Sequence, residues 1–132
     1  MRQPPQSSIY LQQSQAVNGL YFTLQDQYAR TLATSRVFCN QAWYAVGCDL
    51  LMDVPDAPQE TLDYTSLRSN RHPRGFFGIL IRPTENDMGY QFEYITKAGK
   101  TLLTSETFAS RLEAEEAADR LRKIVREIGA GN

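Results

Sequence analysis

"TLATSRVF", residues 31–38, returns 70 positions later as "TLLTSETF", residues 101–108. Setting each residue against the one 70 further on needs no gap across 19–51 and 89–121. Gly19 meets Gly89 and Phe22 meets Phe92. Thr31, Leu32, Thr34, Ser35 and Phe38 meet Thr101, Leu102, Thr104, Ser105 and Phe108, and Asp49 and Leu51 meet Asp119 and Leu121. Identities gathered in one ungapped register point to a duplication, in which two copies of one supersecondary unit share a core.

Each copy carries the same signals in the same order. "SIYLQQS" (8–14) and "GFFGILIRP" (75–83) are rich in strand formers, and turn-like "QAVNG" and "TENDMG" follow them. "LYFTLQD" and "YQFEYIT" alternate apolar or aromatic with polar residues, as half-buried strands do. Short turns then lead to "RTLATS" and "KTLLTS", after which each copy becomes helical. In the second helix Ser110 and Glu113 stand at capping-box spacing. Ala114, Ala117, Ala118, Leu121, Ile124, Val125 and Ile128 form its apolar face. Acidic residues crowd its start and basic ones its end, which complements the helix dipole.

The segment "GYQFEYITKAGKTLLTSETFASRLEAEEAADRL" (89–121) resembles the YegP-like family of small uncharacterised proteins. Phe92, Gly99, Ser105, Glu106 and Phe108 fall on that family's positions, as do Phe22, Leu24, Ser35 and Phe38 in the first copy. Ala29 and Arg36 replace the turn glycine and the glutamate there. The resemblance implies β-β-β-α-β units building one shared antiparallel sheet with exchanged terminal strands, and it brings no enzymatic activity with it. The second copy runs into "REIGAGN", with no room for a final strand.

The expected architecture is α+β: tandem β-β-β-α(-β) repeats forming one antiparallel sheet with two helices on one face. Residues 1–132 make a single domain of two repeats, about 8–64 and 75–128, with a polar linker at 65–74. A chain of 132 residues, 42% hydrophobic and 22% charged, buries such a core without staples. The net charge of -1 gives no global reason to bind nucleic acid or an anionic membrane. "MRQPPQSS" lacks the apolar core of a signal peptide, and no apolar run approaches membrane-spanning length, so a soluble cytoplasmic protein is expected. Cys39 and Cys48 are too far apart for a CxxC pair and are read as reduced, packed thiols.

No chemistry assembles into a catalytic or cofactor site. Ser35 and Ser105 recur, but the one histidine, His72, lies in the linker, so the serines are read as turn or cap hydroxyls. One histidine and two separated cysteines supply no metal-ligand set, and no glycine loop is built for phosphates. "RSNRHPR" (68–74) is the one basic cluster; Arg68, Arg71 and Arg74 are candidate phosphate contacts, against a plainer reading as a solvated linker.

The helices disagree informatively. In the 70-residue register Tyr44, Gly47, Cys48, Leu51 and Val54 take the core face of the first copy. The outer positions, Glu113, Glu116 and Arg120 in the second helix, are Trp43, Val46 and Leu50 in the first. An apolar stripe on the outer face calls for a cover. Residues 52–74, with Met52, Leu62, Tyr64 and Leu67, are one candidate; a second copy or another protein anchored on Trp43 is the other. The leading expectation is a non-enzymatic protein-interaction module that binds a partner or itself through Trp43, Val46 and Leu50. The alternative is a nucleic-acid-associated accessory protein using Arg68, Arg71 and Arg74.

Overall fold

The two matched strands lie side by side. The computed structural model describes residues 10–62, 75–84 and 89–130. In it β3 (Thr31–Ser35) and β7 (Thr101–Ser105) pair antiparallel, with Thr34 opposite Thr104, Ala33 opposite Ser105 and Ser35 opposite Leu103. Outward from β3 come β2 (Gly19–Gln25) and β1 (Leu11–Ala16). Outward from β7 come β6 (Tyr90–Ile95), β5 (Gly78–Pro83) and β4 (Gln59–Thr61). The seven-stranded order is β1-β2-β3-β7-β6-β5-β4, and with two helices it makes an α+β fold.

The wholly antiparallel sheet expected from the sequence needs correction at one edge. β4 pairs parallel with β5, Gln59 beside Ile79 and Thr61 beside Ile81, so the sheet is mixed. A tight hairpin forces its strands antiparallel, but β4 follows α1 (Gln41–Leu51) and a 3₁₀ turn (Val54–Asp56). No hairpin turn joins β4 to β5: residues 62–77 separate them, a spacing long enough for the connection that parallel neighbours need. At the other edge β1 extends to Ala16, paired with Gly19, and leaves only Val17 and Asn18 for the turn.

β3 and β7 break strict alternation, and the cause is a bulge in each. Leu24 pairs with Ala33 but Gln25 with Thr31; Tyr94 pairs with Leu103 but Ile95 with Thr101. The extra residue puts consecutive side chains on the same side. Leu32 with Ala33, and Leu102 with Leu103, are all buried in the core that the helices cover. The threonines Thr23, Thr34 and Thr104 then form a cross-strand row on the opposite face. That row continues to Glu93 and Leu80. Arg82 pairs with Glu93 at 2.6 Å, and Thr101 Oγ1 donates to the same carboxylate at 3.2 Å.

The helices start on matched caps. Asn40 Oδ1 accepts the Trp43 N–H at 2.9 Å, and Ser110 Oγ accepts that of Glu113 at 3.1 Å. Asn40 is the residue 70 before Ser110. The Glu113 carboxylate reaches back to the Ala109 N–H, which completes the cap of α2 (Arg111–Ala130). The core faces are the expected ones: Tyr44, Gly47, Cys48 and Leu51 in α1, and Ala114 through Ile128 at helical spacing in α2. Phe22 meets Tyr44 edge-on and stacks with Phe38, as Phe92 stacks with Phe108, both stacks at 6.3 Å between centroids.

The β2–β3 and β6–β7 turns share one shape. Gly99 supplies a φ of 80° in the second; Ala29 holds a φ of 62° in the first. Asp26 sustains the alanine there: Oδ1 accepts from the Tyr28 and Arg30 N–H groups, and Oδ2 from the Arg30 guanidinium at 2.9 Å. Burial works to raise the Asp26 pKa, but the Arg30 and Tyr28 hydrogen bonds outweigh it and hold the carboxyl below its ordinary value.

Two outcomes follow for this turn. Ala29→Gly relieves the left-handed strain and raises unfolding stability by about 1 kcal/mol, read by urea denaturation; unchanged or lower stability would contradict it. Because the folded pKa of Asp26 is depressed, its contribution is complete above the unfolded pKa of about 3.9 and is lost as pH falls through the folded value. The wild-type melting temperature accordingly declines more steeply below about pH 4 than that of Asp26→Asn.

Candidate functional site

α1 buries one side and leaves the other bare. Tyr44, Gly47, Cys48 and Leu51 enter the core, while Trp43 is 58% and Val46 44% exposed, with Leu50 half-buried beside them. At the same register α2 presents exposed Glu113, Glu116 and Arg120. One helix thus shows water an apolar stripe where the other shows charge. Of the proposed internal cover, Met52 sits by Gly129 of α2, where a Cβ on that glycine would meet its sulfur at 3.6 Å. Tyr64 and Leu67 lie outside the described residues.

The stripe forms one wall of a cavity of about 460 Å³. Trp43, Val46, Gly47 and Leu50 line it from α1, and residues 36–39 line it where β3 leads into the helix. Thr96, Ala98, Lys100, Thr101 and Leu102 close it from the β6–β7 side. Gly47 shapes the floor: a Cβ there would lie 2.3 Å from the Phe38 ring. The missing side chain lets that ring slide beneath the helix, where Phe38 is 8% exposed. Ala117 occupies the matching position in α2, and Phe108 remains half-buried. Among the described residues Arg36 and Lys100 are the charged lining residues, with no carboxylate beside them. The cavity therefore pairs apolar walls with a cationic rim.

The cysteines differ in a way their spacing did not reveal. Cys39 is exposed and lines the cavity, which corrects the expectation that both thiols are packed. Cys48 is buried, and burial pushes its thiol up to about 11, the nearby Tyr44 hydroxyl offsetting only part of that rise. Such a thiol stays protonated and unreactive at neutral pH. The buried Tyr44 hydroxyl has no hydrogen-bond partner among the described residues, and desolvation raises its pKa too.

Ser35 and Ser105 are strand residues with a structural task. Ser35 Oγ accepts the Phe22 N–H at 2.9 Å and donates to the Arg36 carbonyl at 2.8 Å. Ser105 Oγ accepts from Phe92 at 2.8 Å and donates to Glu106 at 2.8 Å. Each hydroxyl replaces a ladder rung just past the last regular pair, Thr23–Thr34 or Glu93–Thr104, so it is neither the turn nor the cap expected. Arg68, Arg71, Arg74 and His72 lie outside the described residues. Among the described residues no group of three or more His, Cys, Asp or Glu is placed to hold a metal ion, and no helix is long and apolar enough to cross a membrane.

Sequence reasoning missed Asn40 and the Ala98–Lys100 side of the cavity, and it named Gly47 and Phe38 without bringing them to one site. A signal for Gly47 was present, since the 70-residue register sets it against Ala117. Nothing local announced that the β6–β7 turn of one half reaches the helix of the other.

No family model matches the sequence, and no curated protein does. Two solved structures share its architecture. A UPF0339 protein from Shewanella oneidensis, solved by solution NMR, matches over 86% of this chain and 81% of its own, with a TM-score of 0.63 and 11% identity. The protein yegP from E. coli, of unknown function and also solved by NMR, matches over 88% of this chain and 84% of its own, with a TM-score of 0.66 and 12% identity. At these identities the likeness is one of fold.

The serine rungs yield a direct expectation. Ser35→Ala or Ser105→Ala strands a buried backbone N–H and lowers stability by roughly 1–3 kcal/mol. Denaturant unfolding checks it; a change near zero for both would remove the rung from the account.

Proposed function

From a YegP-type fold with one apolar groove, we propose that the protein is a non-enzymatic interaction module. Its first-helix groove takes an apolar side chain from a carboxylate-bearing segment of a protein partner. The observation that carries this reading is the exposure of Trp43 and Val46 beside a cavity whose charged lining residues are Arg36 and Lys100. An indole with more than half its surface in water contributes little to folding, whereas a desolvated tryptophan anchors interfaces. The cationic rim favours carboxylates on the incoming segment and disfavours basic ones. A cytoplasmic location and a tandem duplication belong to the same reading. One copy keeps a solvated outer helix face, while the other has given that face to recognition. The recurring caps, turns and serine rungs support the duplication. The nucleic-acid alternative rests on Arg68, Arg71 and Arg74, for which no described contact speaks.

Capture from source lysate with wild type and Trp43→Ala side by side, followed by titration of the captured partner, tests the groove. Trp43→Ala should leave the melting temperature unchanged and weaken binding by ~2 kcal/mol or more. Added salt should weaken wild-type binding through the cationic rim. If Trp43→Ala instead lowers folding stability by roughly 3–5 kcal/mol with association unchanged, the stripe is core and the groove reading fails.

A further inference from the structure

The two edges of the sheet are finished differently. β5 is covered by β4, with the Ile79 N–H donating to the Pro58 carbonyl at 2.8 Å and the Leu62 N–H to the Ile81 carbonyl at 2.7 Å. In the 70-residue register β4 corresponds to residues 129–131, but Gly129 and Ala130 belong to α2. The helix continues where the first half turns back to make a strand. Among the described residues no strand lies outside β1.

β1 is well made for pairing. It is six residues long, LQQSQA, and pairs with β2 in unbroken register. The Gln25 N–H donates to the Tyr10 carbonyl, so antiparallel alternation turns the N–H and C=O groups of Leu11, Gln13 and Gln15 away from β2. Gln13 and Gln15 are exposed. At the start of this region the Glu127 carboxylate of α2 comes close to Tyr10 and raises its pKa. Edge strands are ordinarily protected by charge, proline, a bulge or brevity. β4 has two of these, being three residues long with Glu60 at its centre. β1 has none.

We propose that the outer edge of β1 is a strand-addition site, and that its occupant is β1 of a second copy, antiparallel across a two-fold axis. The composition favours a copy of itself. No charge in Leu11–Ala16 opposes its own image, and the glutamine amides are donors and acceptors that match one another across the axis. The two-fold closes the assembly at two subunits. The remaining edges are β4 strands, which would set Glu60 against Glu60 and so do not continue the sheet. This site is separate from the α1 groove and does not depend on it.

Mass in solution across a protein concentration series tests the proposal. Wild type should reach twice the 15.0 kDa chain mass. Gln13→Pro removes an outward N–H without touching a β2 rung, and the double change Gln13→Lys with Gln15→Lys brings like charges together in either register about the strand centre. Both variants should stay at the single-chain mass, with far-UV circular dichroism and melting unchanged at low concentration. The Lys variant covers the case in which proline perturbs the strand. A wild type that remains monomeric throughout overturns the proposal. So does a dimer that persists in both variants, or one abolished by Trp43→Ala and not by the β1 changes; loss of groove binding alone leaves it standing.

Discussion

The rest of the structure depends on one antiparallel contact, Thr34 opposite Thr104. The two residues are 70 apart, so their pairing places a local two-fold relation between β3 and β7. Three strands on one side and four on the other then become a single sheet. Neither half encloses a core by itself: Tyr44 and Phe22 from one and Phe92 and Leu121 from the other belong to one buried cluster. A small domain gains from such sharing, because the buried fraction rises with size.

Both halves solve the same problem next to that contact. The bulges at Leu32–Ala33 and Leu102–Leu103 turn two consecutive side chains toward the helices and disturb the ladder. At the other end of the same strands the ladders stop at Thr23–Thr34 and Glu93–Thr104, which would strand the Phe22 and Phe92 N–H groups in a dry interior. The hydroxyls of Ser35 and Ser105 supply the acceptors. Two residues that recur for this reason have the look of a paired active site in sequence, and their chemistry is that of backbone repair.

Matched frames make the differences meaningful. Asp26 and Ala29 keep the shape of a turn that Thr96 and Gly99 form more simply. Gly47 instead of an alanine admits the Phe38 ring beneath α1, and the stripe above it is apolar where α2 is charged. The carboxyl end of α2 stays helical where the first half makes β4. The last two departures mark two surfaces, the α1 groove and the β1 edge. Both are places where the chain leaves a structural requirement unmet among its described residues.

The local elements were legible in the sequence, because local periodicity sets them. Alternation in "LYFTLQD" and "YQFEYIT", the spacing of Ser110 and Glu113, and the apolar positions of both helices each draw on residues within a few positions of one another. The 70-residue register added the shared sheet and singled out Trp43, Val46 and Leu50. The parallel direction of β4 was not legible, since no hairpin constrains a strand that arrives through the helical layer. The bulges were hidden too, because "TLATS" and "TLLTS" read as plain strands until their partners fix the register. Cys39 could be placed in the open, and Phe38, Gly47 and Lys100 around one cavity, only once α1 had packed beside the β6–β7 turn. A sequence specifies which faces are apolar; what those faces meet, and what they leave bare, is decided by contacts between residues far apart along the chain.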